Sequence, residues 1–199
     1  MTFKKIFLSI SLPFLLVACS TPSTYFYLLK AIEPENIQLK KFQSEPIIVL
    51  VNPIKFPEYL DRPQIIVRDN DYKFKLSKNH RWAEPLKNEF TRVFTKNLNS
   101  RIAPDHAVMY SELNGAKATI NLSIEVLRLD VNTEDQAILS VNWAYWTEKN
   151  AEKTIRLSGE YDVPVKDKNY QSRTEAQSKA IAIFTDYVAK TIRPLPNGH

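Results

Sequence analysis

The strongest constraint on this chain lies between Ala118 and Val163, where three alternating apolar runs follow one another with short breaks. Ala118, Ile120, Leu122, Ile124 and Val126 share one side of the first run. Leu139, Val141, Trp143 and Tyr145 alternate in the second, and Ile155, Leu157, Gly159, Tyr161 and Val163 in the third. A period of two held three times over predicts adjacent strands, each with one face buried. The first run carries a fault, because its apolar parity moves to Leu127, Leu129 and Val131. A strand cannot change its buried face without an extra residue, so a bulge is expected near Val126-Leu127. Glu148 to Ala151 reads as the turn between the second and third strands.

The buried face of such a sheet needs a second layer, and two segments can supply it. Trp82, Leu86, Phe90, Val93, Phe94 and Leu98 recur at helical spacing, and Pro85 places the helix start near Ala83 or Glu84. Ala176, Ala180, Ile183, Phe184, Tyr187 and Ile192 mark a second helix. Ser172 and Glu175 suit a capping box at its start, and Pro194 and Pro196 would stop it. Further strands are expected at Thr24–Lys30, Ile47–Val51, Gln64–Arg68, Tyr72–Leu76 and His106–Tyr110, with a tight turn at Asp69-Asn70-Asp71. Pro53, Pro57 and Pro63 stiffen the segment from Asn52 to Pro63. The expected class is α+β: a mostly antiparallel sheet with two amphipathic helices packed on one face.

The N-terminus has a different character. Lys4 and Lys5 precede an apolar run from Ile6 to Ala18, too short for a span of roughly 20 residues. It ends Leu16-Val17-Ala18-Cys19, which resembles a bacterial lipobox. Cys19 is the one cysteine of the chain, so the mature protein can form no internal disulfide and its core must hold itself together. The expected organisation is a signal peptide over 1–18, a lipidated tether over 19–23 beginning at Cys19, and a single domain over 24–199. A bilayer would hold it through acyl chains such as palmitate. The net charge of +5 includes Lys4 and Lys5, and the remaining cations are interspersed with acids. Nucleic acid is therefore not an expected partner.

Little in the sequence suggests catalysis. No glycine-rich phosphate loop is present, and only three glycines occur in the chain. His80, His106 and His199 lack partners at metal-ligand spacing, so no metal and no cofactor is expected. His80 with Arg81 and Glu84 reads as a surface loop at a helix start rather than an acid–base cluster. Asp130, Glu134 and Asp135 read as a solvated turn rather than a cation site. Trp143 and Tyr145 belong to the core by parity, which leaves Trp146 on the opposite face.

Two segments are distinctive: Pro57-Glu58-Tyr59-Leu60-Asp61-Arg62-Pro63-Gln64-Ile65-Ile66-Val67-Arg68, and Arg81-Trp82-Ala83-Glu84-Pro85-Leu86. In both, and in the tyrosine-leucine run Tyr25 to Leu29 soon after Cys19, the chain resembles the PqiC (YmbA-type) family. These are auxiliary lipoproteins of ABC-type, MCE-protein lipid-transport systems. The resemblance implies a non-enzymatic subunit at the periplasmic face of the outer membrane, with Ser20 in place of the aspartate that retains lipoproteins at the inner membrane. Its partners would be an MCE-domain protein that spans the periplasm and that protein's inner-membrane subunit, with homo-oligomerisation left open. Two other classes compete: a free-standing periplasmic lipid-binding lipoprotein and a regulator of an envelope-assembly enzyme. For docking, aromatic and arginine side chains on stiff backbone single out Tyr59, Leu60, Asp61, Arg62, Arg81 and Glu84, with Trp146 as an alternative.

Overall fold

The structure, a computed structural model, describes residues 22–34, 48–70, 72–102, 107–109 and 118–192. The signal segment, Cys19, Ser20, His106, His199, Pro194 and Pro196 lie outside them. The elements in chain order are β1 (Tyr25–Tyr27), β2 (Val49–Val51), β3 (Gln64–Asn70), β4 (Lys73–Trp82), α1 (Leu86–Ile102), β5 (Ala107–Met109), β6 (Ile120–Val131), β7 (Gln136–Trp146), β8 (Ile155–Pro164) and α2 (Tyr170–Thr191).

The three alternating runs become β6, β7 and β8, joined by long antiparallel ladders. On its other edge β6 carries two partners at different heights, both parallel: β2 beside Ile120 to Leu122, and β3 at Val131. β2 in turn pairs with β5, while β3 leads through an antiparallel ladder to β4 and then to β1, the last strand on that side among the described residues. The sheet is thus mixed, with its long ladders antiparallel. The bulge falls where the parity of β6 predicts it. The register jumps between Val126 and Arg128, and Leu127 is the extra residue. Leu129 and Val131 return to the core, but Leu127 itself is left exposed, which corrects its expected place on the buried face.

Both helices cover the same core. Leu86, Phe90, Val93, Phe94 and Leu98 are buried as expected. Phe94 stacks on Phe184 of α2, and Phe184 meets Trp143 of β7 edge-on. Burial of such a side chain is worth about 1.5–3 kcal/mol, so these contacts rather than helix propensity hold the layers together. The buried stripe of α2 runs through Ala176, Ala180, Ile181, Phe184 and Val188. Ile183 and Tyr187 are exposed instead, because the helix is rotated to bring Ile181 and Val188 onto the sheet. Its cap also differs from the expected box. Asn169 accepts the amide of Ser172 at 2.8 Å, so the helix starts nearly one turn before the Ser172–Glu175 pair could act.

Two further boundaries move. β4 continues to Trp82, past the expected end at Leu76. Ile66 pairs with Leu76 and Gln64 with Arg81, so the intervening residues of β4 loop out of register. Ser77 Oγ accepts the amide of His80 there, at 2.9 Å. That low-propensity stretch hides the strand from periodicity. Trp82 therefore ends a strand instead of opening the helix stripe, although it is buried. α1 begins directly after Pro85, whose carbonyl accepts the amides of Asn88 and Glu89.

Candidate functional site

The proline-bounded segment is held in place from both ends. Residues Glu58–Leu60 form a single 3-10 turn. Lys55 exchanges backbone hydrogen bonds with Ile124 and Val126, and the Pro63 carbonyl accepts the Trp82 amide at 2.7 Å. That last bond brings the Pro63 end of the loop beside Trp82 at the end of β4. Leu60 is buried in the core, so it anchors the loop and is not available to a partner. Asp61 is exposed, and Arg62 and Arg81 are half-buried. Glu84 is exposed and lies 3.9 Å from Arg92, a distance worth little at a surface. Trp146 is half-buried and pairs with Asn121 at the far end of β6, away from this loop.

Tyr59 leans over the outer face of the sheet. Its hydroxyl donates to the Leu127 carbonyl at the bulge, 3.2 Å away, and its ring lies 5.7 Å from Phe74 of β4. Beneath it is Asp130, completely buried, gripped by Arg68 at 2.8 Å and Arg128 at 2.9 Å. Burial, then the Asp130 charge, raises the pKa of the Tyr59 phenol, and hydrogen bonding to Asp130 raises that of Arg68. β3 and β6 share one ladder pair, Val67 with Val131, and the Arg68–Asp130 bridge reinforces that narrow join. Asp130 is therefore a structural clamp within β6 and not part of a turn. The turn itself is built on Asn132, whose side chain accepts the amides of Glu134 and Gln136, with Asp135 at φ 54°. Among the described residues no cluster of His, Cys, Asp or Glu could hold a metal ion.

Around Tyr59 the surface is apolar. Phe74, Leu76 and Leu127 are each about 40 % exposed, and Tyr72 at the tip of the β3–β4 hairpin is 99 % exposed. The Asn70 side chain fixes that tip by accepting the Tyr72 amide at 2.9 Å.

A second exposed apolar region lies at the opposite end of β4. Tyr25, Phe26 and Leu28 are 55, 64 and 52 % exposed. β1 is parallel to β4, with Tyr25 opposite His80. His80 is sandwiched between the rings of Tyr25 and Tyr170, at 5.3 and 3.8 Å. Its Nδ1 lies 2.7 Å from the Tyr27 hydroxyl. Burial raises the pKa of that phenol, so it stays protonated and donates when the imidazole carries its hydrogen on Nε2. His80 therefore lies within a strand and an aromatic stack, not in a surface loop with Arg81 and Glu84.

The backbone after β1 is strapped to both helices. Leu29 N donates to Glu89 at 2.6 Å, Lys30 N to Ser178 at 3.1 Å, and Ile32 N to Asn97 at 2.9 Å. Arg101, paired with Asp186, also donates to the Ile32 carbonyl. Glu89 is fully buried and also accepts the Glu84 amide. Its carboxyl pKa is raised, chiefly by desolvation, against the lowering effect of the two amides. Sequence reasoning missed this strap; the one signal for it was a set of polar residues on the apolar side of α1.

The match to known proteins agrees with this architecture. Residues 27–189 match the family model for the ABC-type transport auxiliary lipoprotein component, and the chain belongs to that family. As a member it is an auxiliary lipoprotein component of ABC-type transport. It is 24 % identical over 96 residues to the intermembrane transport lipoprotein PqiC of Escherichia coli (strain K12), and equally to that of Shigella flexneri. The match covers 48 % of this chain and 50 % of each relative, so the chain spans about half the length of the curated relatives it matches. Two crystal structures share the fold. An uncharacterised protein aligns at TM-score 0.72 with 16 % identity, covering 86 % of this chain and all of the other. A protein from Xanthomonas campestris aligns at 0.67 with 13 % identity, covering 82 and 91 %. No helix among the described residues is long and apolar enough to cross a membrane.

Proposed function

We propose that this chain is an outer-membrane-anchored accessory lipoprotein of an MCE-type intermembrane lipid transport system. Residues 1–18 are removed, Cys19 is acylated, and Ser20 directs sorting to the outer membrane. The folded domain docks a periplasm-spanning MCE protein, which connects it to an inner-membrane subunit. The chain performs no catalysis in this role; it supplies an anchored, rigid contact that supports envelope integrity.

The observation that carries this reading is the apolar face around Tyr59, Phe74 and Leu127, with Tyr72 at its tip. Three features favour it as a contact. Its backbone is fixed by prolines and by the Asp130 clamp, so ordering costs on binding are small. It is rich in the aromatic types found at hot spots. It also lies at the far end of β4 from β1, the strand that follows Cys19 in sequence.

The test is recovery of the acylated protein from envelopes under mild detergent. The wild type is expected to bring an MCE-domain protein with it. Arg62→Glu is expected to reduce that recovery several-fold while its unfolding midpoint stays within a few degrees. Recovery of the wild type with one lipid per chain and no partner would favour a free-standing lipid-binding protein instead. Recovery with a cell-wall synthase would favour a regulator.

A further inference from the structure

The apolar region around β1 plays no part in the docking reading, and its position relative to Cys19 identifies what covers it. Cys19 precedes Tyr25 by six residues, so whatever path the chain takes, the two are separated by at most about 20 Å. With acyl chains on Cys19, Tyr25, Phe26 and Leu28 cannot leave the vicinity of the bilayer surface. These side chains are not a frayed terminus. β1 is paired to β4, and the residues after it are strapped to Glu89, Ser178 and Asn97. A groove of about 800 Å³ runs beside them, with Phe26, Leu28 and Ile32 on one wall and Thr174, Ser178 and Lys179 of α2 on the other.

We propose that Tyr25, Phe26 and Leu28 form a membrane-contact face that seats the domain on the lipid surface in one orientation. The proposal rests on Cys19 being the acylated residue. Aromatic side chains with one apolar and one polar end are suited to the headgroup boundary. Among the described residues β1 is the outermost strand on this side, and backbone groups on that edge need water or headgroups. The seat is therefore shallow, at the level of the headgroups and not within the hydrocarbon. The charges on the groove cancel in sign, Lys30 and Lys179 against Glu33 and Glu175. Attachment at this face thus depends on apolar contact, and anionic lipid is not required. β4 then acts as a spacer. On β3 the span from Gln64, opposite Arg81, to Asn70, opposite Lys73, is six residue steps, which places the hairpin tip roughly 20 Å from the seat.

The test uses the acylated protein in proteoliposomes. Cys19 is the one native cysteine and its thiol is consumed by lipid, so a single added cysteine accepts a nitroxide specifically. Phe26→Cys, Leu28→Cys and Tyr72→Cys are compared for collision with oxygen, which concentrates in lipid, and with a water-soluble nickel complex. In phosphatidylethanolamine–phosphatidylglycerol vesicles the oxygen-to-nickel ratio is expected to be several-fold higher at positions 26 and 28 than at position 72. The same ratio is expected in phosphatidylcholine vesicles. Equal ratios at all three positions in an acylated protein would overturn the proposal alone. Loss of the difference without phosphatidylglycerol, or nitroxide–nitroxide broadening at position 26 that marks a second copy there, would also overturn it. Absence of acyl mass on Cys19 would overturn the anchor reading and this proposal together.

Discussion

The two ends of β4 present similar side chains to solvent but are built in different ways. At the hairpin end, Tyr72, Phe74 and Leu76 belong to the β3–β4 hairpin and Leu127 to β6, and β3 meets β6 through one ladder pair and a buried ionic clamp at Asp130. At the β1 end, Tyr25, Phe26 and Leu28 sit on a three-residue strand and a strap of backbone amides received by helix side chains. In each case a fully buried carboxylate, Asp130 or Glu89, fixes the backbone that displays the exposed residues. Exposed aromatics on fixed backbone are suited to recognition; the same residues on a loose terminus would not be. The difference in chemistry is also informative. Asp130 is compensated by two arginines, whereas Glu89 is satisfied by two neutral amides, so the two ends respond differently to substitution.

The largest effect is expected at the hairpin end. Asp130→Ala leaves the Arg68 and Arg128 guanidinium groups without their shared carboxylate. Breaking a buried pair in this way costs about 3–5 kcal/mol, which lowers the thermal midpoint by about 10 °C or more. Calorimetry on the purified domain checks it, and a shift of only a degree or two would mean the clamp is dispensable.

Next is Glu89→Ala, which orphans the amides of Leu29 and Glu84 but also relieves a desolvated charge. The net cost is about 2–3 kcal/mol. Hydrogen exchange is expected to rise selectively at Leu29 and Glu84. The pH dependence has a definite sign. The Glu89 pKa is raised above 4.5 in the folded chain, so the folded state holds its proton at pH values where the unfolded state has lost it. Relative to Glu89→Gln, the wild type gains stability on acidification. That gain is complete below pH 4.5 and is lost as pH rises through the folded value. Unfolding midpoints of both proteins across pH 4 to 7 measure it.

The smallest effect separates stacking from hydrogen bonding at the β1 end. His80→Ala removes both the ring between Tyr25 and Tyr170 and the bond to Tyr27, at about 1–2 kcal/mol. His80→Phe keeps the stack and is expected to cost less than about 1 kcal/mol. Equal losses for the two variants would assign the role to the hydrogen bond.

Alternation made the centre of the sheet legible. β6, β7 and β8 are long, each alternates between a more and a less buried face, and the parity fault in β6 located its bulge. The apolar stripe of α1 was legible for the same reason. The C-terminal half of β4 was not, because its partners are a three-residue strand and an out-of-register stretch of β3, and Ser77 to His80 have weak strand preference. The start of α2 was misread because a capping box at Ser172 and a cap at Asn169 look alike in sequence, and only packing selects between them. Of the docking candidates, the sequence marks Tyr59 to Arg62 as one rigid loop bounded by Pro57 and Pro63. It could not reveal that Leu60 turns inward, or that Phe74, Leu127 and Tyr72 complete the face. Those residues are brought together by the hairpin and the bulge, over separations that no local pattern encodes. Asp130 and Glu89 were invisible as clamps for a similar reason: beside a near partner, each holds one about 60 residues away, Arg68 and Leu29.

The central claim is that the two ends of β4 face different partners, protein at the hairpin and lipid at β1. It is tested most directly by placing a photocrosslinking residue at position 72 or at position 26 in living cells. The account predicts that position 72 yields one discrete adduct with an MCE-domain protein, while position 26 yields lipid adducts and no protein band. The reverse pattern, or the same protein adduct from both positions, would contradict it.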